Sequence, residues 1–385
     1  MRTAFKVLTV NLVVGLVLFL LLELGYRTVQ FAGSCMAREC QSGYWRFGSK
    51  FIANVDVGLS KRHDVLGHVP DDGRHVIRTP DVGPITVTIK KGLRGNGADI
   101  GTQPGTVTLA VGDSFTFGDD VSDADTWPAC LERRWRAPVL NGGVFGYGAV
   151  QAVLRAQELE RQFGPDRIIW SILVEHDFRR DRLVSRSSIP RPAVLLDGDT
   201  MRFSSIEESQ RVIDLVLSKG IAEYAPAFGY FYVTAITWQR VSPYLLPAGA
   251  SYDGRWSVRH PAAAPMPQLM RFSFDMFASL KAAEKYVLLQ YTEPSIRMLS
   301  AAASDEVELV RELAAGHDIL VIDTLHPLQA APDLSALYER HHTPAGNRLV
   351  CDAIVTAVKK VHREERRASS NRERLEPEDR ADAQL

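Results

Sequence analysis

The middle of the chain alternates between short apolar runs and longer amphipathic stretches. The runs are short enough to be buried strands, and they lie at residues 107–111, 139–140, 168–174, 286–289 and 319–323. In the stretches between them, apolar residues recur every three or four positions, which places them on one face of a helix. Alternating strands and helices predict a parallel sheet with helices on both faces, a three-layer α/β/α fold. Functional groups in such a fold lie beyond the carboxyl ends of the strands.

Three of the amphipathic stretches have recognisable ends. Residues 125–135 form the first predicted helix, and residues 150–163 form a second that stops at the Gly-Pro pair 164–165. The last helix is predicted over residues 344–361, with Thr343 as its N-cap and a proline in its first turn. These helices would cover the faces of the sheet.

The predicted α/β domain occupies residues 106–362 and contains an insertion, residues 187–280, between its third and fourth strands. The alternation breaks down within the insertion. An Asp-Gly-Asp turn at residues 197–199 predicts a hairpin there. Aromatic residues gather between positions 224 and 238, where they are typical either of a core or of a substrate groove.

Other segments flank this domain. Residues 28–50 are predicted to be a linker, and residues 51–105 a small β-rich lead-in with one alternating run at residues 85–89. Residues 363–385 are charged, small or polar without an apolar period, which predicts a disordered tail.

The first residues of the chain include an apolar segment long enough to span a membrane. Residues 7–22 are almost wholly apolar, and extension to Tyr26 adds a single charge, Glu23, and reaches the roughly 20 residues that span a bilayer. Arg2 and Lys6 precede the run, which predicts a signal-anchor over residues 1–27 with its start in the cytoplasm. A cleaved signal peptide has the same charged start and apolar middle, and remains an alternative.

Two cysteines follow the apolar segment. A lipoprotein site at Cys35 is disfavoured because the usual leucine is missing before it. Outside the cytoplasm, Cys35 and Cys40 would be able to close a small disulfide loop, or they remain two free thiols in a linker.

Composition excludes several classes of protein. Hydrophobic residues make up 45% and charged residues 24% of the chain, the ordinary balance of a globular protein. The 45 Lys and Arg residues against 46 Asp and Glu residues leave a net charge of −1, so no overall field attracts nucleic acid. The four cysteines form no C-x-x-C pair, and no H-E-x-x-H occurs. We therefore expect no metal, no cofactor and no nucleic-acid partner.

The first predicted strand runs directly into the triplet Gly112-Asp113-Ser114. A serine at the end of a buried strand is exposed to substrate, and backbone N–H groups beside it are able to stabilise a negative oxygen. The triplet is also compatible with a simple capped turn. A phosphate cradle is disfavoured, because the G-x-x-x-x-G-K-[ST] pattern is missing.

Four separate motifs resemble those of the SGNH/GDSL hydrolase superfamily, and the resemblance covers about residues 60–362. Gly112-Asp113-Ser114 with Gly118 resembles the first motif of the family. Residues 141–146, 175–177 and 341–347 resemble its other three motifs. Residues 66–70 and 92–95 also resemble the lead-in of membrane-anchored bacterial members. The resemblance implies a flavodoxin-like SGNH hydrolase fold.

The resemblance also implies roles for individual residues. Ser114 would be the nucleophile, and His341 its general base, since imidazole takes and returns a proton near neutral pH. Glu339 is the nearest carboxylate to orient that histidine. The oxyanion hole would consist of the N–H groups of Ser114 and Gly146 and the side chain of His176.

Some positions depart from the family pattern or have rivals. His176 stands where the family has asparagine, and Glu339 where it usually has aspartate before the histidine. His326 is a rival base because Asp323 precedes it with the D-x-x-H spacing, although no glycine-opened helix follows. His342 is expected to be an exposed neighbour in the histidine loop.

Two more cysteines fall on predicted helices. Cys130 and Cys351 are typical of small buried hydrophobic residues, which need no function. A disulfide between them is the alternative, and it requires the first and last helices to pack on one face of the sheet.

Together these features predict a bacterial serine esterase or O-acyltransferase, anchored in the inner membrane by one helix and facing the periplasm. The resemblance suggests an ester-bearing small molecule, a polysaccharide or a lipid as substrate. The departures at positions 176 and 339 motivate an alternative, a catalytically impaired module that binds envelope glycan. A subunit of a polysaccharide export assembly is a weaker third hypothesis.

Overall fold

The computed structural model describes residues 2–36, 59–79, 83–97, 105–186, 189–218, 258–297 and 301–379. The chain divides into two compact units. The first unit combines Met1–His68 with Arg182–Ala264, and the second combines Val69–Asp181 with Pro265–Leu385. This division differs from the predicted boundaries, because residues 182–264, which include most of the insertion predicted over residues 187–280, group with the N-terminal segment.

The second unit is built on one eight-stranded sheet of order β14-β13-β8-β6-β7-β5-β4-β3. Its parallel strands are β6 (Thr108–Val111), β7 (Val139–Asn141), β8 (Arg167–Leu173), β13 (Glu284–Gln290) and β14 (Leu320–Asp323). Every residue of β6, β7 and β8 is buried, as expected for strands covered on both faces. The predicted α/β class with a mostly parallel sheet is confirmed.

Three antiparallel strands extend this sheet beyond β7. They are β3 (Gly73–Thr79), β4 (Gly83–Lys90) and β5 (Leu93–Arg94), with Arg94 of β5 in register with Asn141 of β7. Much of the lead-in predicted over residues 51–105 is therefore part of the main sheet. A strand edge left unpaired is a liability, and β5 pairs with β7 on that side, while the alternating run at residues 85–89 lies in β4 and pairs with β3 and β5.

Helices surround the sheet in the second unit. They are α2 (Ser114–Phe117), α3 (Trp127–Trp135), α4 (Ala149–Phe163), α5 (Asp177–Arg180), α7 (Met266–Ala278), α8 (Glu293–Arg297), α9 (Ala301–Gly316), α10 (Leu325–Gln329) and α11 (Pro344–Asp379). Two helix ends predicted from the sequence are confirmed. The hydroxyl of Thr343, the predicted N-cap of the last helix, accepts from the N–H of Gly346 at 3.3 Å, and α4 ends at Gly164 in a left-handed conformation. At the start of α3, the Thr126 hydroxyl accepts from the N–H of Ala129.

The last helix continues well past its predicted end at residue 361, to Asp379. Residues 363–379 are thus helical where the sequence predicts a disordered tail. The segment is rich in arginine and glutamate, which favour helix, and extending an existing helix avoids the cost of nucleation. Polarity alone therefore does not decide whether such a segment is ordered.

The first unit contains α1 (Arg2–Met36), α6 (Ile206–Ser218) and the short strands β1 (Ser60–His63), β9 (Ser185–Arg186), β10 (Ile189–Pro190), β11 (Val194–Asp197) and β12 (Thr200–Phe203). The boundary between the units falls within β2 (Gly67–Pro70), after His68. Strands β11 and β12 form the predicted hairpin. The window Thr9–Tyr26 of α1 is long and apolar enough to cross a membrane, a test that a signal sequence also passes. Cys40 and the aromatic residues 224–238 lie outside the described residues, and the side chain of Cys35 is not described.

A disulfide joins Cys130 on α3 to Cys351 on α11, with a Cα–Cα distance of 6.1 Å. Both cysteines belong to a buried cluster with Trp127 and Ile354 between these helices and the sheet. The pairing that the sequence leaves open is therefore realised. It links two helices that are 221 residues apart in sequence, each of which begins a few residues after a candidate catalytic loop.

Replacing both cysteines, as Cys130→Ala with Cys351→Ala, is expected to reduce the free energy of unfolding by about 2–5 kcal/mol, because the bond restricts the unfolded chain. Thermal denaturation monitored by circular dichroism measures the change. The unsubstituted protein treated with a thiol reductant is the control, and it should shift in the same direction. An unchanged midpoint in both samples would show that the bond contributes nothing to stability.

Candidate active site

Ser114 lies at the start of the short helix α2, just beyond the carboxyl end of β6. The preceding Asp113 caps the helix, because its Oδ1 accepts from the N–H of Phe115 at 2.9 Å. Gly112 permits the tight turn, since a Cβ there would lie 2.8 Å from the carbonyl oxygen of Ser171 on the neighbouring strand. Gly118 ends the helix at φ 85°, in the left-handed region that favours glycine. Glycines at both ends thus allow the sharp strand-to-helix turn that carries Ser114.

His341 connects Ser114 to a carboxylate through both of its ring nitrogens. Its Nε2 lies 2.9 Å from the Oγ of Ser114, and its Nδ1 lies 2.7 Å from Oδ2 of Asp120. The Asp120 side chain is 4% exposed. A nucleophile, an imidazole and a buried carboxylate in one hydrogen-bonded chain form the arrangement that activates a serine hydroxyl.

The structure does not place Glu339, the carboxylate predicted from the sequence, beside the His341 ring. Glu339 is exposed, and it contacts His341 through its backbone, where the Glu339 N–H donates to the His341 carbonyl at 3.0 Å. Asp120 takes its place from the loop after α2, although it precedes His341 by 221 residues. The sequence signal for it is the pair Asp119-Asp120 directly after the nucleophile helix. That signal does not reveal that the loop folds back toward His341.

The other histidines are now distinguishable. His326, the rival base, is an exposed residue of α10, and His341 takes the position beside Ser114. His342 is buried rather than exposed, which corrects the sequence prediction, and its Nε2 lies 3.0 Å from Oε1 of Gln290. Burial and the neighbouring charge of His341 lower the pKa of His342 to about 3, so its ring is neutral at working pH. The Phe115 ring contacts both histidines at centroid distances of 5.0 Å.

The charges around His341 favour its protonated form. Burial by itself lowers the pKa of His341, but the hydrogen bond that His341 donates to Asp120 and the charges of Asp119, Asp120 and Asp113 outweigh it, and the pKa is raised. Burial raises the pKa of Asp120, but His341 and Arg340 overcome this effect and the pKa is lowered. Arg340 contributes an Nη2–Oδ1 contact of 2.6 Å. Asp120 is therefore ionised beside His341 at neutral pH.

A buried ion cluster supports the nucleophile turn from the other side. Arg180 Nη1 donates to Oδ2 of Asp113 at 2.8 Å, to Oδ1 of Asp177 at 2.6 Å and to the Tyr147 carbonyl at 3.0 Å. Burial and the nearby charge of Asp113 raise the pKa of Asp177 well above its usual range. Arg180 thereby links residues beside the first, second and third sequence motifs.

The second motif packs directly against the nucleophile helix. The Val144 N–H donates to the Gly112 carbonyl at 3.0 Å. A Cβ on Gly143 would lie 2.5 Å from the backbone nitrogen of Phe117, so glycine is required there. Gly146 follows in the same loop at φ 77°. Its predicted role as an oxyanion donor stays a prediction.

The first turn of α2 contains the other predicted backbone donor. The N–H groups of Phe115, Thr116 and Phe117 all donate to Asp113. Within the described residues, this leaves the Ser114 N–H as the donor of that turn available to substrate. His176 is an exposed residue whose N–H donates to the Leu173 carbonyl at 3.0 Å, and the role of its side chain in an oxyanion hole also stays a prediction.

The site residues follow the order of the four sequence motifs along an α/β fold. The serine follows the first parallel strand, the histidine precedes the last helix, and the glycine-rich second motif lies beside the turn that carries Ser114. This arrangement is the one that the resemblance to the SGNH hydrolase superfamily implies. The carboxylate beside the His341 ring comes from a part of the chain that the sequence analysis did not select.

Several solved structures are similar to this chain. An alpha/beta hydrolase enzyme from the metagenome of Lake Arreo, Spain, has 15% identity and a TM-score of 0.38, with 66% of this chain and 96% of that chain covered. A lipase/acylhydrolase from Enterococcus faecalis has 13% identity and a TM-score of 0.38 over the same shares. A catalytic mutant of an acetylxylan esterase from Geobacillus stearothermophilus has 12% identity and a TM-score of 0.36, covering 66% and 95%. No family model and no curated protein matches the chain.

Proposed function

We propose that the protein is a serine esterase or O-acyltransferase that acts on ester groups of a carbohydrate or lipid outside the cytoplasm. The observation that carries the proposal is the chain of hydrogen bonds from Ser114 through His341 to Asp120. A serine hydroxyl is a weak nucleophile by itself, and a base within 2.9 Å removes that limitation. No step requires a cofactor.

The reaction begins when the Ser114 Oγ attacks the ester carbonyl carbon and its proton passes to His341 Nε2. The tetrahedral intermediate collapses as the bond to the leaving alcohol breaks, and His341 returns the proton to the alcohol oxygen. Water then attacks the acyl-serine and gives a proton to His341, which passes it to the departing Ser114 oxygen. Asp120 stabilises the imidazolium throughout. By accepting a hydrogen bond from Nδ1–H, it also fixes the tautomer in which Nε2 is free to accept the Ser114 proton. One ester and one water become one acid and one alcohol.

The negative oxygen of the intermediate needs hydrogen-bond donors. We assign this role to the N–H groups of Ser114 and Gly146, with the His176 side chain as a third donor from the loop after β8. Loss of one such donor costs about 10²- to 10³-fold in kcat in serine hydrolases. A histidine in this role must present a protonated nitrogen, because a neutral imidazole has one donor and one acceptor.

The location rests on two features. Helix α1 is long and apolar enough to act as a single-pass anchor in a bacterial inner membrane, with Arg2 and Lys6 on the cytoplasmic side. The Cys130–Cys351 disulfide supports an oxidising compartment such as the periplasm, since cytosolic proteins keep their thiols reduced.

Hydrolase and acyltransferase share the acyl-enzyme, and they differ in what removes the acyl group. Water completes hydrolysis, whereas a sugar hydroxyl would complete a transfer with the same two proton movements. Acetate released from an acetyl ester without any acceptor favours the hydrolase. Turnover that depends on an added carbohydrate acceptor favours the transferase.

The full chain in detergent tests the proposal with p-nitrophenyl acetate and with a fluorophosphonate probe. We expect release of p-nitrophenol, and we expect mass spectrometry to find the probe on Ser114. Probe labelling without turnover of the free ester would indicate an acceptor-dependent transferase. The absence of both labelling and turnover in folded protein would contradict the proposal. It would favour the glycan-binding module, the alternative that the histidine at position 176 suggests.

The pH profile reports on the base. His341 acts as a base when its ring is neutral, so kcat/KM should rise as pH increases through its pKa. Because the surrounding carboxylates raise the pKa of His341, the inflection should lie above the ordinary histidine value of about 6.5. Asp120→Asn removes the largest raising contribution and should move the inflection to lower pH, whereas Glu339→Gln should leave it in place. An inflection that stays at the same pH in Asp120→Asn would contradict the conclusion that Asp120 raises the pKa of His341.

A further inference from the structure

Arg94 of β5 is a buried cation that binds the backbone of the loop after the nucleophile helix. Its side chain is 0% exposed. Nη1 donates to the carbonyls of Phe117 at 2.9 Å and Gly118 at 2.5 Å, and Nη2 donates to the Val121 carbonyl at 2.6 Å. These carbonyls precede and follow the two residues 119–120. Arg94 therefore holds both sides of the short segment that presents Asp120.

The same loop is held by the residue paired with Arg94 in the sheet. Asn141 of β7 is in register with Arg94, and its Nδ2 donates to the Thr116 carbonyl at 3.0 Å. The Arg94 guanidinium also lies over the Phe117 ring, 4.8 Å from its centroid. Two neighbouring strands thus supply donors to successive carbonyls at the end of the nucleophile helix.

A third attachment fixes the far end of the segment. Both carboxylate oxygens of Asp123 accept from the N–H of Thr88 on β4, at 2.9 and 3.1 Å. Asp123 Oδ1 also lies 3.4 Å from Arg94 Nε. The chain from Phe117 to Asp123 is therefore tied at both ends to the antiparallel strands that extend the sheet, with Asp120 between the attachments.

We propose that Arg94 is a positioning residue for catalysis, which orients Asp120 toward His341 by holding the carbonyls on either side of it. The inference rests on the proposed function and explains why the lead-in strands belong to the same sheet as the site. A planar guanidinium reaches three carbonyls at once, whereas a lysine ammonium on a single stem does not reproduce that fork. A misplacement of about 1 Å is enough to cost about 10²-fold in rate.

The test combines Arg94→Met with Asp120→Asn in a double-mutant cycle on the full chain. Arg94→Met keeps a long apolar side chain and removes every donor, and Arg94→Lys keeps the charge. Arg155→Met is the matched control, because Arg155 is also buried and also donates to a lead-in carbonyl, that of Gly92, at 3.1 Å. Melting temperature, kcat, KM and the pH profile are measured for each variant.

We expect Arg94→Met to lower kcat by about 10- to 100-fold with KM within about twofold of the parent, because a displaced carboxylate no longer orients the base. The inflection of the pH profile should fall, as it does when Asp120 itself is replaced. The kcat of Arg94→Lys should lie between that of the parent and that of Arg94→Met, and Arg155→Met should retain kcat. In the Asp120→Asn background, Arg94→Met should cause little further loss, since the group that it positions is already absent.

Other results would overturn the inference. Equal losses of kcat in both backgrounds would mean that Arg94 acts on something other than Asp120, and an unchanged kcat would mean that it positions nothing. If Arg94→Met does not fold, Arg94→Lys is measured in the same cycle. A separate readout survives failure of the proposed function, namely the far-downfield NMR signal of the His341 Nδ1 proton bound to Asp120. A weakened or lost signal in folded Arg94→Lys supports the inference even without ester turnover, and a signal unchanged from the parent rejects it.

Discussion

Ser114→Ala is expected to lower kcat for ester turnover by about 10⁴- to 10⁶-fold, the scale seen when the nucleophile of a serine hydrolase is removed. The reason is geometric. The Nδ1 of His341 contacts Asp120, and its other ring nitrogen, Nε2, lies 2.9 Å from the Oγ of Ser114. Without that oxygen no acyl-enzyme forms. The expected residual rate comes from substrate binding and from the oxyanion donors.

His341→Ala should cause a loss of similar size, and the two substitutions together should cost little more than either alone, since both residues serve one step. Ser273→Ala and His326→Ala are the matched controls. Ser273 is a buried serine of α7 that donates to the Met270 carbonyl, and His326 is an exposed histidine. A Ser114→Ala protein that keeps its turnover, or a His326→Ala protein that loses it, would refute the assignment. Rates and active-site labelling are measured on the same preparations.

Asp120→Asn is the second substitution with a large expected effect, about 10³- to 10⁴-fold in kcat. An asparagine amide is able to occupy the same space, but an amide N–H directed at Nδ1 favours the tautomer that places the ring proton on Nε2. The ring would then lack an acceptor for the Ser114 proton. The change also removes the negative charge that stabilises the imidazolium in the transition state.

Glu339→Gln is the matched control, because it makes the same chemical change at the carboxylate nearest to His341 in sequence. Glu339 is exposed, so its replacement should leave kcat within about twofold and stability within about 0.5 kcal/mol of the parent. Full activity in Asp120→Asn together with a large loss in Glu339→Gln would contradict the structure. Comparison of melting temperatures separates a catalytic loss from unfolding of the variant.

The contact between Ser114 and His341, the proposed nucleophile and base, was predictable because each residue has a local sequence context. Ser114 follows a buried apolar run, and His341 lies five residues before Gly346 in the motif that opens the last helix. Glycine at these places has a physical cause, since a Cβ on Gly346 would lie 2.3 Å from the Leu337 carbonyl. Short-range sterics of this kind leave a mark in the sequence.

The carboxylate beside His341 has no comparable local sequence context. Asp120 is one of several carboxylates near the nucleophile motif, and Glu339 is closer to His341 along the chain. The choice between them depends on where the loop after α2 lies, which depends in turn on Arg94 and Asn141 on neighbouring strands. The Cys130–Cys351 pairing and the burial of His342 depend in the same way on how distant segments pack.

The sequence by itself determined the α/β class, the order of the parallel strands along the chain, and the turns that carry Ser114 and His341. Hydrophobic period, capping residues and glycine sterics act over a few residues, so they are legible in a single chain. The tertiary structure alone decided that Asp120 rather than Glu339 meets His341, that lead-in strands complete the sheet, and that two distant cysteines pair. Those outcomes follow from contacts between segments far apart in sequence, whose relative positions are set by packing and buried hydrogen bonds of the whole unit.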